Sequence, residues 1–318
     1  MLDVRKLRLL RELARRSTIT AVAEALAYSP SAVSQQLAAL ERETGVQLLE
    51  RTGRRVALTA AGSALAERTE AVLALLEHAA AELAATRAGL TGRLRIGAFP
   101  TAVRTLLPPA LVALGRDHPG LELMVAEVDP AAVPAALRSG ALDVALIHDY
   151  DYVPADADPA LDTDPLMEET IYLAAAGMEE TSYLAAAGQT PAVLAAEPAD
   201  SADPVARYRD APWIMGSPDT LCHAMAVRAC QSAGFTPRIR HHADDFATVL
   251  ALVAAGQGVA LVPQLGATDL PAGVTLAPLP ARRRTRIACR SGTRTHPAIA
   301  ACTAAIRSSV AAYLAALR

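Results

Sequence analysis

The chain has 318 residues, 52% hydrophobic and 20% charged, with a formal net charge of −3. That is more than one hydrophobic core usually holds and too apolar for disorder, so about two soluble domains are expected. Four cysteines without a C-x-x-C pair exclude a disulfide framework and a zinc ribbon, and the arginine-rich start offers no apolar signal segment, so a cytoplasmic protein is expected.

Charge is unevenly placed. Residues 1–60 carry ten Lys and Arg against six acids, on an otherwise acidic chain. Phosphate contacts need local positive charge, so this basic head reads as a nucleic-acid-binding segment.

The first elements are helical. Leu7, Leu10 and Ala14 mark one amphipathic helix, and Ile19, Val22, Ala23 and Leu26 a second. Tyr28-Ser29-Pro30 interrupts the pattern before a third helix carrying Val33, Leu37 and Leu40. Two short helices across a tight turn predict a helix-turn-helix, whose second helix exposes Ser31, Ser34, Gln35 and Gln36. Short hydroxyls and amides near a helix N-terminus can reach base edges and phosphates, so Ser29, Pro30, Ser31, Ser34, Gln35 and Gln36 are candidate DNA contacts. Residues around Thr52-Gly53-Arg54 predict a hairpin, or wing, that adds Arg51, Arg54 and Arg55. Thr59 is expected to cap a long helix. In it Leu65, Thr69, Val72, Leu76, Ala79, Leu83 and Thr86 alternate spacings of four and three, a seam for pairing with a second copy.

From Gly92 the texture changes. Strands are predicted at 94–97, 121–128, 143–148, 213–215, 238–242, 259–262 and 286–290. Helices are predicted at 102–116, 131–139, 220–233, 246–255 and 297–317. The alternation predicts a parallel sheet with helices on both faces, and the strand count predicts two lobes. Residues 167–177 are repeated at once as 178–188, with Ser182 replacing Ile171. The unbroken apolar face of Ile171, Leu173 and Ala175 predicts that 168–175 fill the strand slot and that 178–188, with Glu179 and Glu180, are surplus surface material.

Ala23-x-x-Leu26-x-x-Ser29-x-x-Ala32-Val33-Ser34-x-x-Leu37-x-x-Leu40-Glu41, Gly45-Val46-x-Leu48-Leu49-x-Arg51 and Leu58-Thr59-x-x-Gly62 resemble the DNA-binding domain of the LysR-type transcriptional regulators. Pro100, Leu142-Asp143-Val144-Ala145, Ala211-Pro212-Trp213-Ile214, Ala233-Gly234-Phe235-x-Pro237 and Val253-Ala254-Ala255-Gly256-x-Gly258-Val259-Ala260-Leu261-Val262-Pro263 extend the resemblance over nearly all the chain. It implies an α/β protein with an N-terminal winged helix-turn-helix (1–59), a long dimerising linker helix (60–90) and a two-lobed effector domain like a periplasmic binding protein (91–318). Lobe I would hold about 91–162 and 266–318, and lobe II about 163–265. The function implied is regulation of transcription at a double-stranded DNA operator by a homodimer or homotetramer, under a small-molecule effector for which a carboxylate is one candidate. Where the family usually has Gln-Pro this chain has Pro30-Ser31, which shifts base reading toward Ser31, Ser34 and Gln35.

The same resemblance places the effector between the lobes, with Phe99, Pro100, Thr101, Ala102, His148, Ser217, Phe246, Val262 and Pro263 as candidates. Thr101 and Ser217 stand out as hydroxyls expected at helix N-termini, which suit a carboxylate. His148 is expected to be a satisfied strand-end histidine. No nucleophile elbow, phosphate loop or HExxH follows a strand, and His241-His242 on a strand would face opposite ways, so no catalytic residue, metal, cofactor or membrane role is expected.

Overall fold

The computed structural model describes residues 2–52, 55–85, 89–155, 157–177 and 203–317. Its head begins with α1 (Val4–Arg16), capped by the Asp3 carboxylate, then α2 (Ile19–Leu26), capped by Thr18, and α3 (Pro30–Thr44). Ser29 caps α3 through its hydroxyl, which accepts from the Ala32 amide at 3.2 Å, and Pro30 takes the first helical position, where no amide hydrogen is needed. Between α2 and α3 the chain turns on Ala27, in the left-handed region at φ 55°. Leu7, Leu10, Leu13, Val22, Val33, Leu37 and Leu40 close the three-helix core.

Strands β1 (Leu49–Thr52) and β2 (Arg55–Leu58) form the expected antiparallel hairpin, in register from Leu49↔Leu58 to Thr52↔Arg55. Glu41 fixes it to α3, since one carboxylate oxygen accepts from the Leu48 and Leu49 amides at 2.9 and 3.0 Å. Thr59 caps α4 (Ala60–Ala85) by accepting from the Gly62 amide. Gly62 lies so close to this junction that a Cβ there would sit 2.1 Å from the Leu48 carbonyl oxygen, which explains the glycine in the Leu58-Thr59-x-x-Gly62 motif.

The linker seam divides in two. Leu65 packs on the head core and Thr69 is buried, so these positions are satisfied within the chain, whereas Val72, Leu75 and Leu76 are exposed. Thr86 lies outside the described residues.

The head also docks on its own C-terminal domain through charge. Arg15 of α1 pairs with Glu70 of α4 at 2.8 Å and with Asp158 at 2.9 Å. Arg138 pairs with the same Asp158 at 2.5 Å and lies 3.9 Å from Glu12. Burial pushes the Glu12 carboxyl up, but hydrogen bonds from Arg16 and Arg11 and the charge of Arg138 outweigh it and hold it below the usual range. Asp158 is held low in the same way: burial is outweighed by the Ala160 amide, Arg15 and Arg138. Carboxylates depressed by folding stabilise above their ordinary values of 4.5 and 3.8 and lose that contribution as pH falls through their folded values. Thermal unfolding followed against pH should therefore show a constant Tm contribution from this network above about pH 5 and a decline in acid. Glu12→Gln should remove part of that acid dependence; an unchanged profile would show that the network does not hold the head.

In the C-terminal domain the chain runs β3 (Gly92–Ala98), α5 (Pro100–Thr105), α6 (Leu107–Asp117), β4 (Leu121–Glu127), α7 (Val133–Ser139), β5 (Val144–Tyr150) and β6 (Leu161–Ala176). It continues with β7 (Pro212–Met215), α8 (Leu221–Ser232), β8 (Arg238–His242), α9 (Phe246–Ala254), β9 (Ala260–Pro263), β10 (Val274–Arg290) and α10 (Pro297–Ala316). The single helix expected over 102–116 is broken at Leu106: Pro108 and Pro109 have no amide hydrogen to continue a ladder from α5, and proline disfavours helix in the residue before it. The expected turn at Gly256-x-Gly258 is present. Gly256 ends α9 at φ 68°, and a Cβ at Gly258 would meet the Pro212 carbonyl oxygen at 2.5 Å.

The all-parallel sheet does not form. Six strands run in the order β4-β3-β5-β10-β6-β9; β3 is parallel to β4 and β5, but β10 is antiparallel to β5 and β6, and β6 is antiparallel to β9. The last strand, expected over 286–290, reaches back to Val274, its alternation masked by Pro278, Pro280 and four arginines. Strands β6 and β10 are long enough to join two cores. Their outer halves pair beside β5, and their inner halves, Tyr172–Ala176 with Val274–Pro278, pair beside β9. The first copy of the repeat fills the β6 slot as expected, with Ile171 fully buried opposite Pro263; residues 178–188 lie outside the described residues.

Each core is a sheet between helices. Alternate β5 residues Val144 and Leu146 pack under α6 and α10, while Ala145 faces Val133 and Leu137 of α7. Helix α10 is long and apolar enough to cross a membrane by length and composition, but Ile299, Cys302, Ile306 and Val310 are spent on this core. In the second core Trp213 and Met215 pack under α8, and Ile214 faces Val249 and Val253 of α9.

Candidate functional site

Two places carry chemistry. The first is the outer face of the head, where Ser29, Pro30, Ser31, Ser34, Gln35 and Gln36 are all exposed on one end of α3. The Ser29 and Ser31 hydroxyls share a hydrogen bond of 3.0 Å, and Ser34 donates to the Pro30 carbonyl, whereas the Gln35 and Gln36 side chains point outward with no hydrogen bond among the described residues. Arg51 and Arg55 lie on the wing strands, and Arg54 falls between them outside the described residues.

The second is a cleft of about 240 Å³ between the two cores, at the carboxyl ends of β3, β4, β7 and β8. Phe99, Pro100 and Thr101 enter from the β3–α5 turn, His148 from β5, and Phe246 from α9, so five of the nine expected residues meet there. Four do not. Ala102 is fully buried one residue behind the wall, and Val262 and Pro263 are buried in β9 beneath it. Ser217 neither lines the cleft nor caps a helix: Thr220 caps α8, while the Ser217 amide and hydroxyl both donate to Asp244 at 2.7 and 2.6 Å.

The floor of the cleft is built on a charge that the sequence pattern hid. Arg283 of β10 is 1% exposed and donates to the Glu169 carboxylate of β6 at 2.7 Å. Its Nη2 donates to the Thr101 hydroxyl at 3.1 Å, and its central carbon sits 4.7 Å from the centre of the Phe99 ring. Glu169 also accepts from the Leu265 amide at 2.6 Å, so both of its oxygens are used. Burial works against the charge of Arg283, but Glu169 more than restores it and leaves the guanidinium firmly protonated.

His148 is not the satisfied histidine expected. It is 4% exposed, stands edge-on to Phe99 at 4.5 Å and to Tyr150 at 5.0 Å, and neither ring nitrogen has a hydrogen-bond partner among the described residues. Burial, then the charge of Arg283, hold it well below its ordinary value, so the imidazole is neutral at pH 7. Tyr150 shares a hydrogen bond of 3.2 Å with the Cys222 thiol, and burial raises the pKa of both groups. The remaining lining is apolar from Ile214, Met215, Ala226, Val249 and Leu261, with Glu127, Asp129 and Asp244 as its other charges. Sequence reading missed Arg283, Cys222 and these carboxylates; the one available signal was an arginine at a position where Ala281, Thr285 and Ile287 alternate inward.

Comparison with known proteins covers both places. A family model described as a bacterial regulatory helix-turn-helix protein, lysR family, matches residues 4–63, and one described as the LysR substrate binding domain matches residues 87–311. A probable hydrogen peroxide-inducible genes activator from Mycobacterium avium is 31% identical over 252 residues, covering 79% of this chain and 74% of that protein. The HTH-type transcriptional regulator TfdS of Cupriavidus pinatubonensis is 30% identical over 82% of each chain. The solved structure of a Corynebacterium glutamicum OxyR C206 mutant aligns with a TM-score of 0.55 at 25% identity, covering 100% of this chain and 93% of that one.

Proposed function

The chain belongs to the LysR-type DNA-binding transcriptional regulators, and from that premise we propose that it acts in the cytoplasm as a homodimer or homotetramer, not as an enzyme. The head at 1–59 and the linker helix at 60–90 would read an interrupted palindrome, and 91–318 would bind the effector. The strand registers favour dividing the lobes inside β6 and β10, near Thr170 and between Pro278 and Arg282, rather than near residues 162 and 265. The observation that carries the reading is the exposed hydroxyl and amide face of α3 beside a tethered wing, joined to a cleft that holds an unpaired polar group.

Gel shift of the chain's own upstream DNA against excess random DNA tests it. Gln35→Ala should weaken operator binding by roughly 1–3 kcal/mol while leaving random DNA unaffected. Arg54→Ala should weaken both and flatten the salt dependence by about one charge. Equal losses on random DNA would end this division of roles.

The names of some relatives, hydrogen peroxide-inducible genes activators, raise a response to peroxide, which in a protein without cofactor would run through a thiol. The four cysteines here oppose it: burial raises the pKa of Cys222 and Cys289, and pushes Cys230 and Cys302 up to about 12, whereas peroxide chemistry runs through the thiolate. A ligand bound in the cleft is the reading the geometry favours.

A further inference from the structure

We propose that the interlobe cleft takes a small arylalkylamine whose ammonium faces Glu127 and Asp129 and whose ring hydroxyl pairs with His148, in place of a carboxylate. The inference rests on reading the cleft as the effector site, and it names what that site accepts.

Arg283, which lines this cleft, and Ser217, which lies just outside it, are the groups that could have received an anion, and each already holds a carboxylate of the chain. The Arg283 guanidinium is neutralised by Glu169, and another of its N–H groups donates to Thr101. The Ser217 amide and hydroxyl hold the Asp244 carboxylate at 2.7 and 2.6 Å. A ligand carboxylate approaching Arg283 would have to share a guanidinium already neutralised by Glu169. It would also meet Glu127, Asp129 and Asp244, all lining the cleft, with no cation among the described lining residues except the paired Arg283. Like charges repel and the same carboxylates attract an ammonium, Asp129 from a half-buried position and Glu127 and Asp244 from exposed ones. Asp129 has one oxygen engaged among the described residues, accepting from the Ala131 amide at 2.9 Å.

The other polar group that the cleft offers a ligand is His148. A neutral imidazole carries one donor and one acceptor, and leaving both unmade in a buried place is costly, so a group able to give or take a hydrogen bond is wanted there. A phenolic or alcoholic hydroxyl does both without bringing a charge toward Arg283. Between the two ends the walls are Phe99, Ile214, Met215, Phe246 and Leu261, which suit one ring. The volume, about 240 Å³, falls below the roughly 300–1,000 Å³ usual for drug-sized ligands and limits the body to about that size.

Calorimetric titration of the full chain with four matched probes tests the assignment: tyramine, phenethylamine, 4-hydroxyphenylacetate and the neutral 2-(4-hydroxyphenyl)ethanol. Tyramine should bind about tenfold or more tightly than the carboxylate, and about tenfold more tightly than phenethylamine, which lacks the hydroxyl. The double variant Glu127→Gln, Asp129→Asn should erase the preference for the amine over the neutral alcohol. His148→Phe should erase the preference for the hydroxyl, and His148→Asn should restore part of it, with operator binding reporting that each variant is folded. Carboxylate binding as tight as the amine, or no heat from tyramine up to about 5 mM, overturns the ligand class. Ala243→Trp, which fills the cleft from a loop position, separates the two layers. If the neutral alcohol binds this variant as well as the parent, the cleft reading itself fails; if its binding is lost while the carboxylate outcompetes the amine on the parent, only the ligand class fails.

Discussion

Protein carrying Val72→Asp together with Leu76→Asp is expected to run as a monomer in light scattering and to lose operator binding. In the isolated chain these side chains are 39% and 46% exposed, on a helix that also exposes Leu75 at 69%. Leu65 and Thr69, earlier in the same seam, are covered by the chain's own head, so the free part of the stripe starts at Val72. Pairing this part with a second copy would bury it, and two facing aspartates would have to be desolvated there. The loss at the operator follows from bivalency. One head on one half-site forfeits the effective concentration that joins the second, commonly worth about 10²–10⁴ in affinity. A variant that stays dimeric and binds normally would move the dimer interface elsewhere.

Glu169→Gln should be the most destabilising single change in the C-terminal domain. Breaking a buried ion pair by removing one partner leaves the other charge uncompensated and costs roughly 3–5 kcal/mol. Glu169 and Arg283 are 2% and 1% exposed, and they join β6 to β10 at 2.7 Å. The double change Glu169→Leu, Arg283→Met should recover much of the loss in urea unfolding, because the desolvation penalty of both charges disappears with them. It should not recover effector response, since Thr101 and Phe99 lose the guanidinium that positions them. If the single variant unfolds at the parental urea midpoint, the pair is not the structural centre of the cleft floor.

What could be read in advance followed how local the cause was. Caps and periodicity are local, so Ser29, Pro30 and Thr59 announced the starts of α3 and α4, and the wing followed from strands of four residues each. Sheet direction was not legible, because β10 returns antiparallel from a distant part of the chain and its pairing with β5 and β6 leaves no local pattern. The cleft was half legible. Phe99, Thr101 and Phe246 follow strand ends or open helices, where ligand sites gather, but Ser217 misled: a hydroxyl just ahead of a helix is a capping signal, and Thr220 took that role three residues later. Arg283 was invisible because an arginine in a run of arginines reads as surface, and only the distant Glu169 makes its burial tolerable.

The repeat means that this chain contains two competitors for one place in the sheet. Residues 178–188 duplicate 167–177 at every position but one, so the glutamate that holds Arg283 has a twin in Glu180. Threading the second copy into β6 would put Ser182 where Ile171 is fully buried opposite Pro263, forfeiting roughly 1.5–3 kcal/mol of apolar burial. It would also force residues 167–177 out as a loop in the middle of a continuous strand, with a closure cost of about 2 kcal/mol. The gap between the two threadings is thus a few kcal/mol, supplied by one branched side chain and one uninterrupted strand.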